Sequence, residues 1–389
     1  MQIKPYIQTE ADKLITLRRW FHAHPEPSGQ EFETAKKIAS ELDALAIPYQ
    51  QIGETGIAAT IRGEKPGKGK IIVLRADTDA LCITDLKDVP YASTNPGYCH
   101  ACGHDVHIAS LLGAAKVLQE KRAEFAGEVR LFFQQAEEIG DGAKHFIKAG
   151  LLKGAYRVFG GHVMPTLDSD KVAIVGGPRN ASSDYFKIEV KGRSAHAATP
   201  DKGTDALYIA AQIVNNLQSI VARNIHPIDS VLVSIGKLQA GTQYNSLAEH
   251  AALEGTTRAF TPELRHRTNE SVKRIAEGTA QMFGGTADVS IKHFAPPLIN
   301  DHTVAEETCQ IAAPILGESH ILTSYDQALW ADDFADLLGE VPGVYILVGA
   351  KDPKQDTQPP LHHGLFDVDE KSLLTFCNLY VDFALHYIS

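Results

Sequence analysis

The sequence has few cysteines, no excess of positive charge and no long apolar run, and each shortage excludes a class of protein. The five cysteines among 389 residues are scattered and odd in number, which suits free thiols in a reducing compartment better than a disulfide framework. Lys and Arg number 37 against 48 Asp and Glu, a net charge of -11, whereas a nucleic-acid-binding protein needs a basic face. No apolar stretch reaches the roughly 20 residues that span a bilayer. We therefore expect a protein that binds neither nucleic acid nor membrane.

The N-terminal segment and the overall composition are typical of a globular cytoplasmic protein. Lys4, Glu10 and Asp12 interrupt the first residues, which lack the apolar core of a signal peptide. A hydrophobic content of 44% with 22% charged residues is ordinary for a soluble protein, and the length suffices for two domains. We expect a cytoplasmic location.

Strand-like runs that alternate with helix-like runs predict an α/β fold with a mostly parallel sheet. Three apolar runs end in polar residues, and ligands of such sheets bind beyond the carboxyl ends of the strands. The runs are 70–76 before Asp77-Thr78-Asp79, 129–133 before Glu137-Glu138, and 158–161 before His162. The sequence therefore predicts a site at this edge of the sheet.

A second pattern interrupts the first over residues 182–293. Its order is strand, helix, strand, strand, helix, strand, which is typical of a ferredoxin-like α+β unit. The helix-like runs are 205–221 and 262–283, and the strand-like runs are 185–190, 230–238, 251–260 and 287–293. We expect one α/β domain formed by residues 1–181 and 294–389, with this α+β domain inserted into it.

The stretch His100–His107 combines one thiol and three imidazoles directly before a helix-like run that begins at Ile108. Thiolate and neutral imidazole are good ligands for zinc-like metals. Cys102 and His104 are two positions apart, so both can face the same way in an extended segment. The alternative is a polar turn with an ordinary buried cysteine.

Further donors after the apolar runs favour the metal interpretation. Two metals need roughly seven or eight donors with a bridging water, and the candidates are Asp77, Asp79, Cys102, His104, Glu137, Glu138, His162, His362 and His363. Of the adjacent pair Glu137-Glu138, one carboxylate can bind metal while the other acts as a general base. The alternative is a solvated acidic pair, although the apolar flanks draw it inward. Asp79 is a candidate to support a ligand rather than to bind.

The remaining histidines have alternatives of their own. A lone His162 is more often structural than a ligand, and His362-His363 could be a solvated pair in a loop. We interpret His22, His24 and His107 as structural or supporting groups, because ligating imidazoles need partners that orient them.

The inserted domain has its own polar residues. The loop 193–200 presents His196, Asn245 lies in a later loop, and Arg258 ends an apolar strand. Arg suits a bidentate grip on a carboxylate, while His or Asn can donate to a developing oxyanion. The alternative for Arg258 is a solvated surface position.

Taken in order, the motifs resemble one known superfamily. They are His22-Ala-His24-Pro-Glu26, Thr55-Gly-Ile57, Leu74-Arg-Ala-Asp-Thr-Asp-Ala-Leu81, His100-Ala-Cys-Gly-His-Asp-Val-His107, Gln135-Ala-Glu-Glu138, Gly161-His162-Val163, Ala195-His-Ala-Ala-Thr-Pro200, Gly255-Thr-Thr-Arg258 and Leu361-His362-His363. Their order and spacing resemble the metal-dependent aminoacylase and carboxypeptidase superfamily, most closely its N-acyl-amino-acid and indole-acetyl-amino-acid amidohydrolases.

This resemblance implies a zinc-exopeptidase-like fold with two divalent metal ions per subunit, Zn or Mn first and Co or Ni next. The implied metal ligands are Cys102, His104, Glu138, His162 and His362. Glu137 would be the catalytic base, His196 would steady the oxyanion, often in a partner subunit's site, and Asn245 and Arg258 would bind the substrate. The inserted domain would act as a lid and dimerisation domain, which implies a homodimer.

The resemblance implies hydrolysis of the amide bond of N-acyl-L-amino acids, and it leaves two alternatives. One is a dipeptidase or carboxypeptidase with the same site, and the other is a metal-binding sensor without catalysis. The chain departs from the usual pattern in three places. At Gly364 relatives usually have Pro, so we expect a less constrained loop. Asp332 has a shorter acidic side chain than the usual residue, and the run 245–249 also differs.

Overall fold

A computed structural model of the chain describes residues 5–354 and 358–388. The chain divides into two compact units. The first runs to Gly177 and continues through Asn300–Asp326 and from Asp332 onward, and the second comprises Pro178–Ile299 and Gln327–Ala331. The second unit therefore begins and ends a few residues outside the predicted 182–293. Its role as a lid or dimerisation domain stays a prediction.

The described helices and strands alternate along both units. The helices are α1 (Pro5–Gln8), α2 (Ala11–Ala23), α3 (Phe32–Ala44), α4 (His104–Glu120), α5 (Gly142–Lys148), α6 (Ala206–Leu217), α7 (Pro262–Met282), α8 (His302–Leu316), α9 (Phe334–Glu340) and α10 (Lys371–Ile388). The strands are β1 (Tyr49–Ile52), β2 (Gly56–Arg62), β3 (Ile71–Asp77), β4 (Glu128–Gln134), β5 (Arg157–Asp168), β6 (Val172–Ala173), β7 (Gly177–Asn180), β8 (Ser183–Lys191), β9 (Val231–Ala240), β10 (His250–Ala259), β11 (Thr286–Ala295), β12 (Leu298–Asn300), β13 (Ile321–Leu322) and β14 (Gly343–Lys351).

The first unit is built on a mixed sheet with the strand order β1-β2-β4-β3-β5-β14-β6-β13. The inner pairs β4-β3, β3-β5 and β5-β14 are parallel, whereas β1 and β2 add an antiparallel edge. Helices cover both faces of the sheet. Adjacent side chains of β4 point to opposite faces and therefore contact different helices. Phe132 packs against Phe146 of α5 with ring centroids 4.6 Å apart, while Phe133 belongs to the core that contains Leu111 of α4 and Phe376 of α10. The predicted α/β class with a mixed sheet between helices is confirmed.

The position of His162 differs from the prediction. We expected it at the end of a strand, but β5 continues to Asp168, so His162 lies inside the strand. The run was read as ending because the polar His162 follows two glycines, yet β5 stays paired with β14 on one side, where His162 lies opposite Leu347. On its other side the pairing with β3 ends at Phe159. His162 therefore lies beyond the last residue pair between β3 and β5.

The second unit contains a sheet with the order β11-β8-β10-β9, in which every pair is antiparallel. Helices α6 and α7 pack on it, with Ile188 of β8, Ile213 of α6 and Val272 of α7 in one buried core. Asp205 and Thr261 cap the two helices through their side chains. The predicted ferredoxin-like order is confirmed, although α6 ends earlier than expected. Among the described residues, the structure has no helix with the length and apolar character needed to cross a membrane.

Candidate metal centre

A left-handed glycine places Cys102 and His104 at the start of α4. Gly103 has φ 82° and precedes the first helical residue, His104, so the helix begins earlier than the predicted Ile108. A Cβ atom at Gly103 would lie 2.3 Å from Cγ2 of Val163. Glycine is therefore required both for the backbone conformation and for the close packing.

Cys102 is the common member of two groups of potential ligands. Its Sγ lies 3.2 Å from Nε2 of His162 and 3.4 Å from Nε2 of His362. Cys102, His104 and His162 form one group, and Cys102, Glu138 and His362 form the other, with all ligand atoms of a group within 4.8 Å of one another. The structure thus brings together the five residues that were predicted as metal ligands.

The distances between the donor atoms suit bound divalent ions better than direct hydrogen bonds. Nε2 of His104 and Oε1 of Glu138 are 3.8 Å apart, which is too long for a hydrogen bond. Both atoms are buried and have no hydrogen-bond partner among the described residues. With metal–ligand distances of about 2.0–2.3 Å, two ligand atoms of one tetrahedral ion lie roughly 3.3–3.8 Å apart. The spacing is therefore in the range of atoms that bind divalent ions and outside that of a direct hydrogen bond.

Backbone carbonyls orient two of the imidazoles. His104 donates from Nδ1 to the carbonyl oxygen of Asp79 at 2.9 Å, and His162 donates from Nδ1 to the carbonyl oxygen of Val163 at 2.7 Å. In a neutral imidazole the other nitrogen then carries the lone pair. Nε2 of both rings can therefore act as a metal ligand.

Buried negative charge gives the centre its electrostatic character. Burial and the charges of Asp332 and Glu138 raise the pKa of Glu137 well above its usual range. Burial also raises the pKa of Glu138 to about 7, although His104 opposes it. Burial would lower the pKa of His104, but the negative charge of Asp77 and other carboxylates raises it to about 10. Such an excess of buried carboxylate favours bound cations.

One guanidinium neutralises part of this charge. Arg75 lies in β3 and is buried, with its nitrogens 2.6 Å from Asp77, 2.9 Å from Asp333 and 3.3 Å from Asp332. It also donates to Oε1 of Gln134 at 3.0 Å. Arg75 was given no predicted role, although an arginine inside an apolar strand is a signal for a buried ion pair.

Two nearby histidines are occupied by other partners. His107 accepts the N–H of Val163 at Nε2 (3.0 Å), so its Nδ1 carries the proton and donates to Asp77 at 2.5 Å. His363 accepts the N–H of Leu365 at Nδ1 (3.1 Å). Of the pair His362-His363, it is therefore His362 that faces Cys102.

Another cluster of potential ligands is already paired with the ammonium group of a lysine. His22, Asp85 and Cys99 lie close together, but Nζ of Lys87 is 2.8 Å from Asp85 and 3.7 Å from Sγ of Cys99. Nδ1 of His22 is 2.7 Å from a carboxylate oxygen of Asp105. This cluster is an ion-pair network beside the N-terminus of α4.

The backbone is strained at two positions of the centre. Ala136 has φ 56° and His362 has φ 60°, and a non-glycine residue in this region costs about 1–3 kcal/mol. The loop that carries His362 is nevertheless held, because His362 donates its N–H to the carbonyl of Ala101 at 2.8 Å and Leu86 donates to Gly364 at 2.9 Å. That Gly364 leaves this loop less constrained than Pro would stays a prediction.

The predicted substrate-binding residues lie in the second unit. His196 and Asn245 occupy exposed loops that meet through the backbone, where Ala197 donates to the carbonyl of Asn245 at 3.0 Å. Arg258 lies in β10 and donates from Nε to the carbonyl of Leu329 at 3.1 Å. The structure thus brings His196 and Asn245 together within this unit.

A family model, curated relatives and a solved structure each match most of this chain. The family model described as peptidase family M20/M25/M40 matches residues 73–386. The N-acetylcysteine deacetylase of Bacillus subtilis (strain 168) is 37% identical over 375 residues, 96% of each chain. Thermostable carboxypeptidase 2 of Saccharolobus solfataricus is 35% identical over 377 residues, 96% of this chain and 94% of the relative. The crystal structure of the Bacillus subtilis YXEP protein, a dinuclear metal-binding peptidase from the M20 family, superposes with a TM-score of 0.85 at 34% identity, over 97% of this chain and 98% of that chain.

Proposed function

Because the chain belongs to the peptidase family M20/M25/M40, we propose that it hydrolyses the amide bond of N-acyl-L-amino acids. The resemblance inferred from the motifs is thereby confirmed, and the protein is a metal-dependent hydrolase. The N-acetylcysteine deacetylase that matches 96% of the chain supports an acyl amino acid as the substrate class.

The observation that carries the proposal is the convergence of five donors around Cys102. Its thiolate is common to both groups, so we assign two divalent ions to the centre, with Zn or Mn ahead of Co or Ni. Such ions, when bound, lower the pKa of a water molecule and polarise an acyl carbonyl. Glu138 and His362 form one group with Cys102, and His162 of the other group lies 3.2 Å from the same sulfur.

Glu137 is the general base of the proposed reaction. It lies in the turn after β4, and only 6% of it is exposed. Burial and the surrounding carboxylates raise its pKa well above the usual range. Glu137 takes a proton from the attacking water and returns it to the leaving amine, a role worth about 100- to 10,000-fold in rate.

The second unit supplies the substrate contacts in this proposal. Nδ1 of His196 accepts the N–H of Ala198 at 3.0 Å, so Nε2 carries the proton of the neutral ring and can donate to an oxyanion. Arg258, whose Nε and Nη1 already donate to the carbonyls of Leu329 and Thr257, would bind the substrate carboxylate through its guanidinium, with Asn245 as a further donor. The homodimer, the cytoplasmic location and the action of His196 across subunits stay predictions.

A matched pair of variants tests the proposal. Glu137→Gln should lower the turnover of N-acetyl-L-amino acids by at least about 100-fold, and the metal content should remain that of the wild type. Glu138→Gln, the same change one residue later, should lower both turnover and metal content, because it removes a ligand. Metal analysis and steady-state kinetics give both readouts. Substantial activity of Glu137→Gln would contradict its assignment as the base.

A second candidate function shares the site. The carboxypeptidase that is 35% identical supports hydrolysis of peptides, so dipeptides and N-acetyl-L-amino acids are compared in the same assay. Faster turnover of dipeptides would favour this alternative. A protein that holds metal and hydrolyses neither class would be a sensor rather than an enzyme.

A further inference from the structure

A buried carboxylate outside the metal centre contacts the backbone next to Glu137. Glu31 is 0% exposed, and its Oε1 accepts the N–H groups of Ala136 and Gly29, both at 2.9 Å. Its Oε2 accepts the hydroxyl of Thr55 at 2.6 Å. Among the described residues no Lys, Arg or His side chain forms an ion pair with Glu31, so its hydrogen-bond partners are uncharged donors.

Ala136, whose N–H donates to Glu31, is one of the two strained residues of the centre. Ala136 has φ 56°, a left-handed conformation that costs an L-residue about 1–2 kcal/mol. A hydrogen bond from a backbone N–H to a carboxylate is stronger than one to a neutral acceptor. The bond from Ala136 to Glu31 therefore opposes the relaxation of Ala136 to an ordinary conformation.

A second carboxylate holds the other side of Glu137. Glu138 donates its N–H to Oδ2 of Asp79 at 3.0 Å, and the same oxygen accepts the hydroxyl of Ser28 at 2.6 Å. The peptide that carries Glu137 thus lies between two backbone amides, each fixed by a buried carboxylate.

The sequence motifs without an assigned role supply these contacts. Ser28 and Glu31 lie two and five positions after Glu26, which ends one motif, and Thr55 begins the motif Thr55-Gly-Ile57. Glu26 itself accepts the N–H groups of Glu33 (3.1 Å) and Thr34 (2.8 Å) at the start of α3. The loop 26–31 therefore anchors α3 with one glutamate and the turn of the general base with the other.

We infer that Glu31 is a positioning residue that fixes the orientation of Glu137 through the backbone of Ala136. This inference rests on the proposed role of Glu137. Without the carboxylate, Ala136 relaxes and moves the Glu137 side chain, and a displacement of about 1 Å in a reacting group can cost about 100-fold in rate. Glu138 stays in place because Asp79 holds its amide. The loss therefore falls on kcat, whereas metal content stays the same.

Glu31→Gln and Glu31→Ala separate this role from a general loss of packing. In Glu31→Gln the amide oxygen still accepts both N–H groups, and the NH₂ group donates to the hydroxyl of Thr55, which can accept. We expect Glu31→Gln to keep kcat within a few-fold of the wild type, and Glu31→Ala to lose about 100-fold with little change in KM. Glu26→Ala is the matched control, because it removes a carboxylate from the same loop that accepts two amides at α3. It should lower stability and leave kcat unchanged.

Amide hydrogen exchange provides a readout that does not depend on turnover. In the full chain without added metal, the N–H of Ala136 should exchange at least about tenfold faster in Glu31→Ala than in the wild type or in Glu31→Gln. Thr55→Val, with Thr55→Ser as its control, gives a milder test if Glu31→Ala does not fold, since it removes one donor to Glu31. It should raise the exchange rate and lower kcat in the same direction.

Three outcomes would overturn the inference: a Glu31→Gln variant as slow as Glu31→Ala, a Glu31→Ala variant no slower than Glu26→Ala, or unchanged exchange at Ala136. An active Glu137→Gln variant would instead remove the proposed function, and the exchange result at Ala136 would still stand. The two failures are therefore distinguishable.

Discussion

Replacing Arg75 by Met should destabilise the first unit by about 3–5 kcal/mol, the usual cost of leaving buried charges without their partner. The guanidinium is 1% exposed and contacts Asp77, Asp333 and Asp332 at 2.6, 2.9 and 3.3 Å. Met fills much of the same volume, so the expected loss comes from the carboxylates and not from a cavity.

The matched control is Arg62→Met in strand β2 of the same sheet. The side chain of Arg62 is 80% exposed and lies 3.4 Å from Glu128, and an exposed pair of this kind is worth about 0–1 kcal/mol. Thiol labelling during urea unfolding gives the assay, because the cysteines, Cys82, Cys99, Cys102, Cys309 and Cys377, all belong to the first unit. Cys377 is fully buried in α10, so its labelling reports the unfolding of that unit alone.

A double substitution tests the physical reason. Asp333→Asn should cost less in the Arg75→Met background than in the wild type, because it removes a charge that Arg75 no longer neutralises. The coupling expected between contacting charges is about 0.5–3 kcal/mol. Equal costs in both backgrounds, or an Arg75→Met variant no less stable than Arg62→Met, would refute the reasoning.

Two further predictions concern acid stability and metal content. Burial would raise the pKa of Asp184 in the second unit, but hydrogen bonds from Arg265, Asn269 and His293 outweigh it and lower the pKa. Its carboxylate therefore stabilises that unit above the unfolded pKa of about 3.9, and the stabilisation is lost as pH falls through the lower folded pKa. Asp184→Asn should therefore make the stability of this unit in acid less dependent on pH, as measured by amide exchange of residues 183–191. An unchanged pH profile would contradict this. Cys102→Ala should weaken the binding of both ions, as measured by metal titration. The loss of affinity should exceed the roughly 10- to 100-fold that is typical of losing a group that only supports a ligand. Retention of wild-type affinity would mean that the two ions do not share the thiolate.

The residues of the metal centre could be predicted from local patterns. Glu137 and Glu138 follow an apolar strand, and Cys102 and His104 precede a helix, so each position has a signal in its own neighbourhood. His162 was singled out as a ligand and lies close to Cys102, although the interpretation of its strand was wrong. A polar residue after two glycines resembled an end, whereas pairing with β14 carries β5 on to Asp168. Sheet pairing is a long-range property that no local pattern encodes.

The supporting contacts could not be predicted for the same reason. Glu31 and Ala136 are 105 positions apart in the chain, and Arg75 and Asp333 are 258 apart. The sequence shows that Glu31 is a charged residue near a recognised motif, but only the fold shows that its carboxylate is buried. Likewise, the positive φ of Ala136 has no signal in the sequence, because alanine seldom adopts it.

The strand β14 lies between β5 and β6 in the centre of the sheet, yet it follows the whole second unit in the chain. A ribosome therefore releases β1–β5 long before the strand that closes their exposed edge, and His362 comes later still. A nascent chain of this protein carries an open parallel edge during that interval, which is the kind of surface that chaperones shield. The proposed ligand group that contains His362 is consequently completed only in the last stage of biosynthesis, after the strands of the sheet.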